Sequence, residues 1–358
     1  MKRLICLFSM ILMIINLLAC SFRPGSRGEN PSVPYTDYSD TGSSATTQPY
    51  SYDETEPSSG EPQTGDSSET SSVGGYPQAT PGVVTRALSV YTDSYGKKAY
   101  VPANFKVSSK RGEQTVKTGL VVIGPDESEY VWIPTDETEL KTRDFGSYFY
   151  SGGSLSGYSD ETNLKEYKDM AASVARYGGF YIGRYEASKG SNGLPLSKRV
   201  SKTESGNIWV RFSPQDTVTV CQNLYPGNNT VQGFFPWGAN WDTMLQWLID
   251  TGCKTANQVS SDSSSWGNYS NDTFSPNAGG NYTGIWEEAN SNNIYDLAGN
   301  NWEWTQERYG TNYVMRGGGY NLMGGSCPGN TYPAAIRDPL PGNDHHPNVT
   351  FRAALYVK

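Results

Sequence analysis

The chain has only two histidines in 358 residues, and they are neighbours, His345 and His346. That scarcity leaves little for histidine-based metal binding or acid–base chemistry. Apolar residues are also few, at 36% with a mean hydropathy of −0.58, and the one long apolar run lies at the extreme N-terminus. A polytopic membrane protein is excluded. Positive charge is not in excess either: 28 Lys and Arg face 36 Asp and Glu, for a net charge of −8. Sequence-independent binding to nucleic acid needs a cationic face and is not expected. No Ser/His/Asp or paired-carboxylate arrangement presents itself as an active site. What the chain has in plenty is Gly (39), Tyr (25) and Trp (9). That is the composition of a loop-rich globular protein of short strands, not of a helix bundle.

Residues 1–20, MKRLICLFSMILMIINLLAC, set Lys2 and Arg3 ahead of an apolar stretch too short and one-sided for a stable span. They read as an export signal. The stretch ends in Leu17-Leu18-Ala19-Cys20, which resembles the bacterial lipobox. The resemblance implies cleavage before Cys20, lipid on that cysteine, and a place in the bacterial cell envelope, anchored to a membrane and exposed outside the cytoplasm. Two or more acyl chains suffice for stable anchoring. Residues 21–82 have almost no Leu, Ile, Phe or Met and are expected to be a disordered tether. Nine acids there face only Arg23 and Arg27, so most of the chain's negative charge belongs to this stalk. Its self-repulsion holds the globular part of the chain away from a membrane. Of the remaining cysteines, Cys221 and Cys253 form one available disulfide pairing with Cys327 left over, and the sequence does not choose.

From about Val83 short β-type runs begin, punctuated by Pro and Gly. Residues 83–115 are expected to be an accessory β segment. Asn163 to Tyr177 sets Leu164, Tyr167, Ala171 and Val174 on one helical face, with Gly178-Gly179 as a stop. Asn240 is placed to cap a second helix carrying Trp241, Met244, Leu245 and Leu248 until Gly252. The fold class expected is α+β with two helices, short strands and extensive loops. Phe351 to Val357 is expected to form the closing strand, beside the domain's N-terminal strand.

A set of motifs then occurs in a fixed order: Gly179-Phe180-Tyr181-Ile182-Gly183-Arg184-Tyr185-Glu186-Ala187, Phe235-Pro236-Trp237-Gly238, Gly299-Asn300-Asn301-Trp302-Glu303-Trp304, Arg316-Gly317-Gly318 and Phe351-Arg352. Together, over residues 116–358, they resemble the formylglycine-generating-enzyme (sulfatase-modifying-factor) domain. The resemblance implies a C-type-lectin-like fold. Asn301 departs from the small apolar residue usual there. Trp302 and Trp304 are expected to be scaffold. Family members often hold calcium near this loop, which makes Glu303 a candidate ligand for a structural calcium, with a structural ion pair as its alternative; no other cofactor is implied. Catalytic members bind copper through two cysteines, whose positions correspond here to Leu322 and Cys327. A single thiolate does not provide that site, so the chain is not expected to be an enzyme.

The domain is also similar to the variable proteins of diversity-generating retroelements. In these, a C-terminal lectin-like surface is rewritten at adenines, and an Asn codon so rewritten never yields Lys, Glu, Gln or Trp. Residues 320–350 contain none of those four types, yet hold both histidines of the chain. The resemblance therefore implies a variable region over 316–358. Its ligand-binding side chains are expected to be Asn321, Met323, Asn330, Tyr332, Ile336, Asp338, Leu340, Asn343, Asp344, His345, His346, Asn348 and Thr350, sharing one exposed face. Pro333-Ala334-Ala335, Arg337 and Phe351-Arg352 are expected to be the fixed frame. The function expected is a surface-anchored lipoprotein binding an unidentified extracellular protein or glycan. The alternatives are a lectin-like binder of fixed specificity and, last, a formylglycine-generating oxidoreductase.

Overall fold

The β-branched and aromatic runs around Val121 and Tyr130 become neighbouring strands at the heart of a computed structural model, which describes residues 72–73, 75–146, 154–201, 207–269, 282–322 and 332–358. These lie in one compact unit, Thr70–Lys358. The signal sequence, Cys20 and the greater part of the expected tether lie outside the described residues, as do Met323, Cys327 and Asn330. Among the described residues no helix is long and apolar enough to cross a membrane.

Strands β1 (Ser72–Val73) and β2 (Tyr76–Pro77) pair antiparallel, as do β3 (Ser89–Thr92) and β4 (Lys98–Val101). Next come β5 (Lys106–Val107), β6 (Val121–Ile123), β7 (Glu129–Pro134) and β8 (Tyr158–Ser159). Helix α1 (Lys165–Tyr177) leads into β9 (Gly179–Gly183), then the small pair β10 (Ser188–Lys189) and β11 (Pro195–Leu196). Helix α2 (Pro214–Gln222), strand β12 (Val231–Phe234), helix α3 (Gly238–Asp250) and helix α4 (Ala256–Ser260) come after them. The C-terminal third holds the pair β13 (Asn290–Ser291) and β14 (Ile294–Tyr295), the long hairpin β15 (Trp302–Tyr309) and β16 (Asn312–Arg316), then β17 (Asp338–Leu340), β18 (Val349–Phe351) and β19 (Ala354–Val357).

Two sheets organise the molecule. One has the order β12-β19-β9-β7-β6-β5, and the other β17-β16-β15-β18, with β8 also pairing with β15. The six-stranded sheet is buried on both faces. Tyr130, Trp132, Tyr181, Leu355 and Val357 enter one apolar cluster, while Val131, Ile133, Phe180, Ile182, Ala354 and Tyr356 enter another around α1 and α3. In the second sheet, Trp302, Trp304, Tyr313, Met315, Val349 and Phe351 all join the first cluster. Successive side chains of a strand point to opposite faces, so Glu303, Thr305, Arg316 and Thr350 lie on the other, equally buried face.

Several expectations are corrected here. The described residues contain four α-helices, not two. Helix α2 starts at Ser213, whose Oγ accepts the Asp216 N–H at 3.1 Å, with Pro214 in its first turn. Thr255 and Gln258 form a reciprocal capping box at α4. Helix α3 begins two residues before Asn240, so Asn240 is no N-cap; from the first turn its Oδ1 accepts the Trp237 N–H at 3.1 Å. Helix α1 stops at Gly178, left-handed at φ 77°, but its buried stripe is Met170, Ser173, Val174 and Tyr177, and Leu164 stands exposed.

Within 83–115, expected as an accessory β segment, β3 and β4 form a strand pair, Tyr91, Ala99, Val101, Phe105 and Val107 join the first cluster, and β5 pairs with β6. The fold also claims the end of the expected tether, since Ala79 is buried and its N–H donates to the Val90 carbonyl at 2.8 Å. The closing segment is two strands, because the chain crosses between sheets at Arg352-Ala353. Its last strand is separated from β7 by β9. Cys221 and Cys253 are both free thiols and belong to different apolar clusters.

Candidate functional site

The C-terminal segment is held from beneath by three arginines with almost no exposure. Arg316 and Arg337 straddle Asp242 of α3 and Glu307 of β15: Arg316 lies 2.6 Å from Asp242 and 3.1 Å from Glu307, and Arg337 bonds both carboxylates, reaching Glu307 at 2.8 Å. Arg316 also donates to the Ile336 carbonyl at 2.9 Å and the Ala335 carbonyl at 3.3 Å. Arg352 grips Glu303 with two bonds, 2.6 and 3.1 Å, and donates to the carbonyls of Gly183 and Tyr295 at 2.8 and 2.9 Å. Guanidinium suits these positions because its planar fork satisfies several acceptors at once. Burial, then the neighbouring Arg337 cation, depresses the Arg316 pKa, while the attraction of Asp242 and Glu307 outweighs burial at Arg337 and raises its pKa. A fourth carboxylate, Asp160, accepts the Gly238 and Ala239 N–H groups at the start of α3, at 2.9 and 2.8 Å. Burial, then Glu307, pushes its pKa up to about 7.

The predicted ligand-binding residues divide in two. Asn321, Asn343, His345 and His346 are exposed, and Tyr332, Leu340, Asp344 and Asn348 are half-buried. Ile336, Asp338 and Thr350 are corrections, at 1%, 8% and 0% exposure. Ile336 packs into the first apolar cluster, and Thr350 faces inward from β18 with its hydroxyl donating to the Trp209 carbonyl at 3.0 Å. Asp338 sits on β17 opposite Met315, which in turn is opposite Trp304, and its Oδ1 has no partner. Burial pushes its pKa up to about 7. Met323 and Asn330 lie outside the described residues.

Trp302 brings separated parts of the segment together. Its backbone N–H donates to the Asn348 carbonyl at 3.1 Å, and its ring meets the Tyr332 ring edge-on at 6.0 Å. A Cβ on Gly319 would sit 3.2 Å from the Trp302 ring and 3.1 Å from Asn321 Oδ1, so this glycine permits a close approach. The expected frame residues Pro333, Ala334, Ala335, Arg337, Phe351 and Arg352 are all buried. Trp302 and Trp304 are buried too.

Glu303 is corrected as a calcium candidate. It is 1% exposed and both its oxygens are taken by Arg352, which is the ion-pair alternative. Behind it, Asn301, the residue that departs from the family pattern, gives its backbone N–H to Glu186 at 3.0 Å and its amide to the same carboxylate at 3.3 Å. Burial, then the nearby Asp296 and Glu303, raises the Glu186 pKa. Among the described residues no group of three His, Cys, Asp or Glu is placed to hold a metal. Leu322 is half-buried against the first apolar cluster, and Cys327 lies outside the described residues. Two grooves, of about 350 and 250 Å³, lie elsewhere, the first lined by Asp136, Arg143, Trp247 and Asp250 and the second by Lys165, Asp169, Gln222 and Tyr356. Neither includes a residue of 320–350.

Sequence reasoning missed Asp160, Asp242 and Glu307 because their partners come from distant parts of the chain. It missed the 207–213 loop as well, where Trp209 and Phe212 are aromatic but show no period. No family model and no curated protein matches the chain. Among solved structures it is similar to CarF, at 16% identity over 50% of this chain and 87% of that one, with a TM-score of 0.36. It is also similar to variable protein 1 of Treponema denticola, at 12% identity over 74% of this chain and 98% of that one, with a TM-score of 0.25. At such distance function has to be argued from this chain's own residues.

Proposed function

We propose that the protein is a ligand-binding lipoprotein of the bacterial envelope, in which a C-type-lectin-like domain of the formylglycine-generating-enzyme type presents a diversified C-terminal face to an extracellular protein or glycan. One observation carries this reading: exposed, chemically mixed side chains alternate with buried arginines that pin the backbone beneath them. Asn343, His345 and His346 stand exposed, while Arg337 and Arg352 on either side of them are buried in ion pairs. Such a design lets surface residues change while the scaffold keeps its shape, the division of labour seen wherever loops carry recognition. Asn, His and half-buried Tyr332 supply adaptable hydrogen bonds and contact area, as in antibody loops. Lipid on Cys20 would hold the domain to the membrane and the acidic stalk would hold it away from that surface. With Leu322 at one copper-cysteine position, formylglycine generation has no second thiolate to use.

The experiment is to sequence the DNA flanking the gene. A non-coding near-copy of the stretch encoding 316–358, differing mainly where that copy has adenine and lying beside a reverse-transcriptase gene, is the expected result. If no such copy exists, diversification is refuted and the face is one of fixed specificity.

A further inference from the structure

The loop over residues 207–213 meets the C-terminal face at two points: Trp209 O accepts from Thr350 Oγ1, and Arg211 O lies 3.3 Å from His345 Nδ1. Trp209 and Phe212 pack against each other at 4.5 Å and each lies 5.7 Å from the Phe351 ring. Both rings remain half-buried. Between them stands Arg211, exposed, with a left-handed backbone at φ 61°. Arginine seldom adopts that conformation, and backbone strain of this kind gathers at functional sites. Lys189, at the end of β10, sets its ammonium 5.2 Å from the Trp209 ring centroid. Neither cation is paired with a carboxylate among the described residues, in a chain of net charge −8. Beside these residues in sequence stand Asp216, which accepts from the Ser213 hydroxyl at 2.7 Å, and the half-buried Asp344.

We propose that Arg211 and Lys189, beside the Trp209–Phe212 pair and His345-His346, form an anion-recognition subsite whose ligand is an acidic polysaccharide. This rests on reading the C-terminal segment as a binding face. A protein partner draws most of its affinity from a few anchors, chiefly Trp, Tyr and Arg, seated in well-packed dry pockets, and neither groove described above includes a residue of 207–213 or 320–350. The exposed large apolar residues described, Val83, Val84, Tyr95, Leu164 and Tyr309, all belong to other segments. The junction offers instead two spaced cations, imidazole and amide hydrogen-bonding groups, and the edges of half-buried rings. A chain of sugar rings bearing repeated carboxylate or sulfate groups matches each of these. Arginine binds either anion with two parallel hydrogen bonds.

The test measures binding of dextran sulfate, polygalacturonate and neutral dextran to the mature protein at low and high salt. Dextran sulfate, polygalacturonate or both should bind, more weakly at high salt, and neutral dextran should not; which polyanion binds tells sulfate from carboxylate recognition. Arg211→Gln and Lys189→Gln should each weaken binding about fivefold, equivalent to roughly 1 kcal/mol. Arg211→Gly, which suits the left-handed backbone, should weaken it as much while folding normally. Lys110→Gln, an exposed cation elsewhere, should leave binding unchanged. The proposal is overturned if neither polyanion binds, if neutral dextran binds equally, if the Arg211 and Lys189 variants bind as wild type, or if Lys110→Gln loses as much. Polyanion binding does not depend on whether the gene has a second copy, so this proposal and the diversified-face reading fail separately.

Discussion

Replacing Arg352 with methionine removes the cation paired with Glu303 and leaves the hydrophobic volume roughly filled. Arg352 makes two bonds to Glu303 and one each to the carbonyls of Gly183 and Tyr295, all with almost no solvent. Breaking a buried pair by removing one partner costs about 3–5 kcal/mol, and each carbonyl left without its donor adds about 1 kcal/mol. Arg352→Met should therefore lose about 5–7 kcal/mol, a large part of the 5–15 kcal/mol typical of a whole domain. Urea unfolding followed by tryptophan fluorescence reads this directly. Arg352→Met/Glu303→Leu removes the stranded carboxylate and should be more stable than Arg352→Met alone, with a coupling energy of about 2 kcal/mol. The pH dependence supplies a second check. Burial already raises the Glu303 pKa above its unfolded value, and without Arg352 it rises further. The folded state then holds a proton that the unfolded state gives up above pH ~4.3, so stability falls as pH rises from there. The deficit of Arg352→Met should shrink between pH 8 and pH 5. Additive single effects, or a deficit independent of pH, would refute the assignment of Glu303 to a purely electrostatic partnership with Arg352.

Asp338, raised to about 7 by burial and without a cation, has the same sign: the wild type should lose stability as pH rises from ~4 to 7, and Asp338→Asn should be the more stable protein at pH 8 but not at pH 4. Equal urea midpoints for the two at both pH values would show that the carboxyl is not held in a desolvating site. Alanine at exposed Asn343 or His346 should change stability by less than about 0.5 kcal/mol, whereas Ile336→Ala should cost about 2–5 kcal/mol; similar thermal shifts for all three would erase the distinction between face and frame. Metabolic labelling with a fatty acid should mark the wild type and not Cys20→Ser, and label retained in the variant would end the anchor assignment.

Local chemistry made part of the fold legible. Helix α1 was readable because Val174 and its neighbours repeat at helical spacing and Gly178 supplies the left-handed stop. Helix α2 was equally readable in principle, since Ser213-Pro214 followed by Asp216 is an N-terminal signal, but only Pro214, Thr217 and Cys221 of it are buried and the apolar period is weak. The division of the last segment into β18 and β19 was not legible. Phe351, Ala353, Leu355 and Val357 alternate without interruption because all four enter the same apolar cluster. The crossing between sheets at Arg352-Ala353 is set by the ion pair with Glu303, 49 residues away, and leaves no trace in the local period.

The same limit governs the candidate site. Composition marked residues 320–350 as unusual, but it could not say which side chains face inward, because that depends on strand register. Asp338 is buried because β17 pairs with β16 so that Asp338 meets Met315, and Thr350 because β18 runs parallel to β15 opposite Glu303. A shift of one residue in either strand would reverse both assignments. What fixes the register is the set of buried arginines: Arg316 holds the carbonyls of Ala335 and Ile336 just ahead of β17, and Arg352 clamps the exit from β18. A surface that changes residue by residue needs such clamps more than a fixed surface does, since each new side chain tests the register again. If the face is diversified as proposed, buried charge interleaved beneath exposed polarity is what it would require of its scaffold.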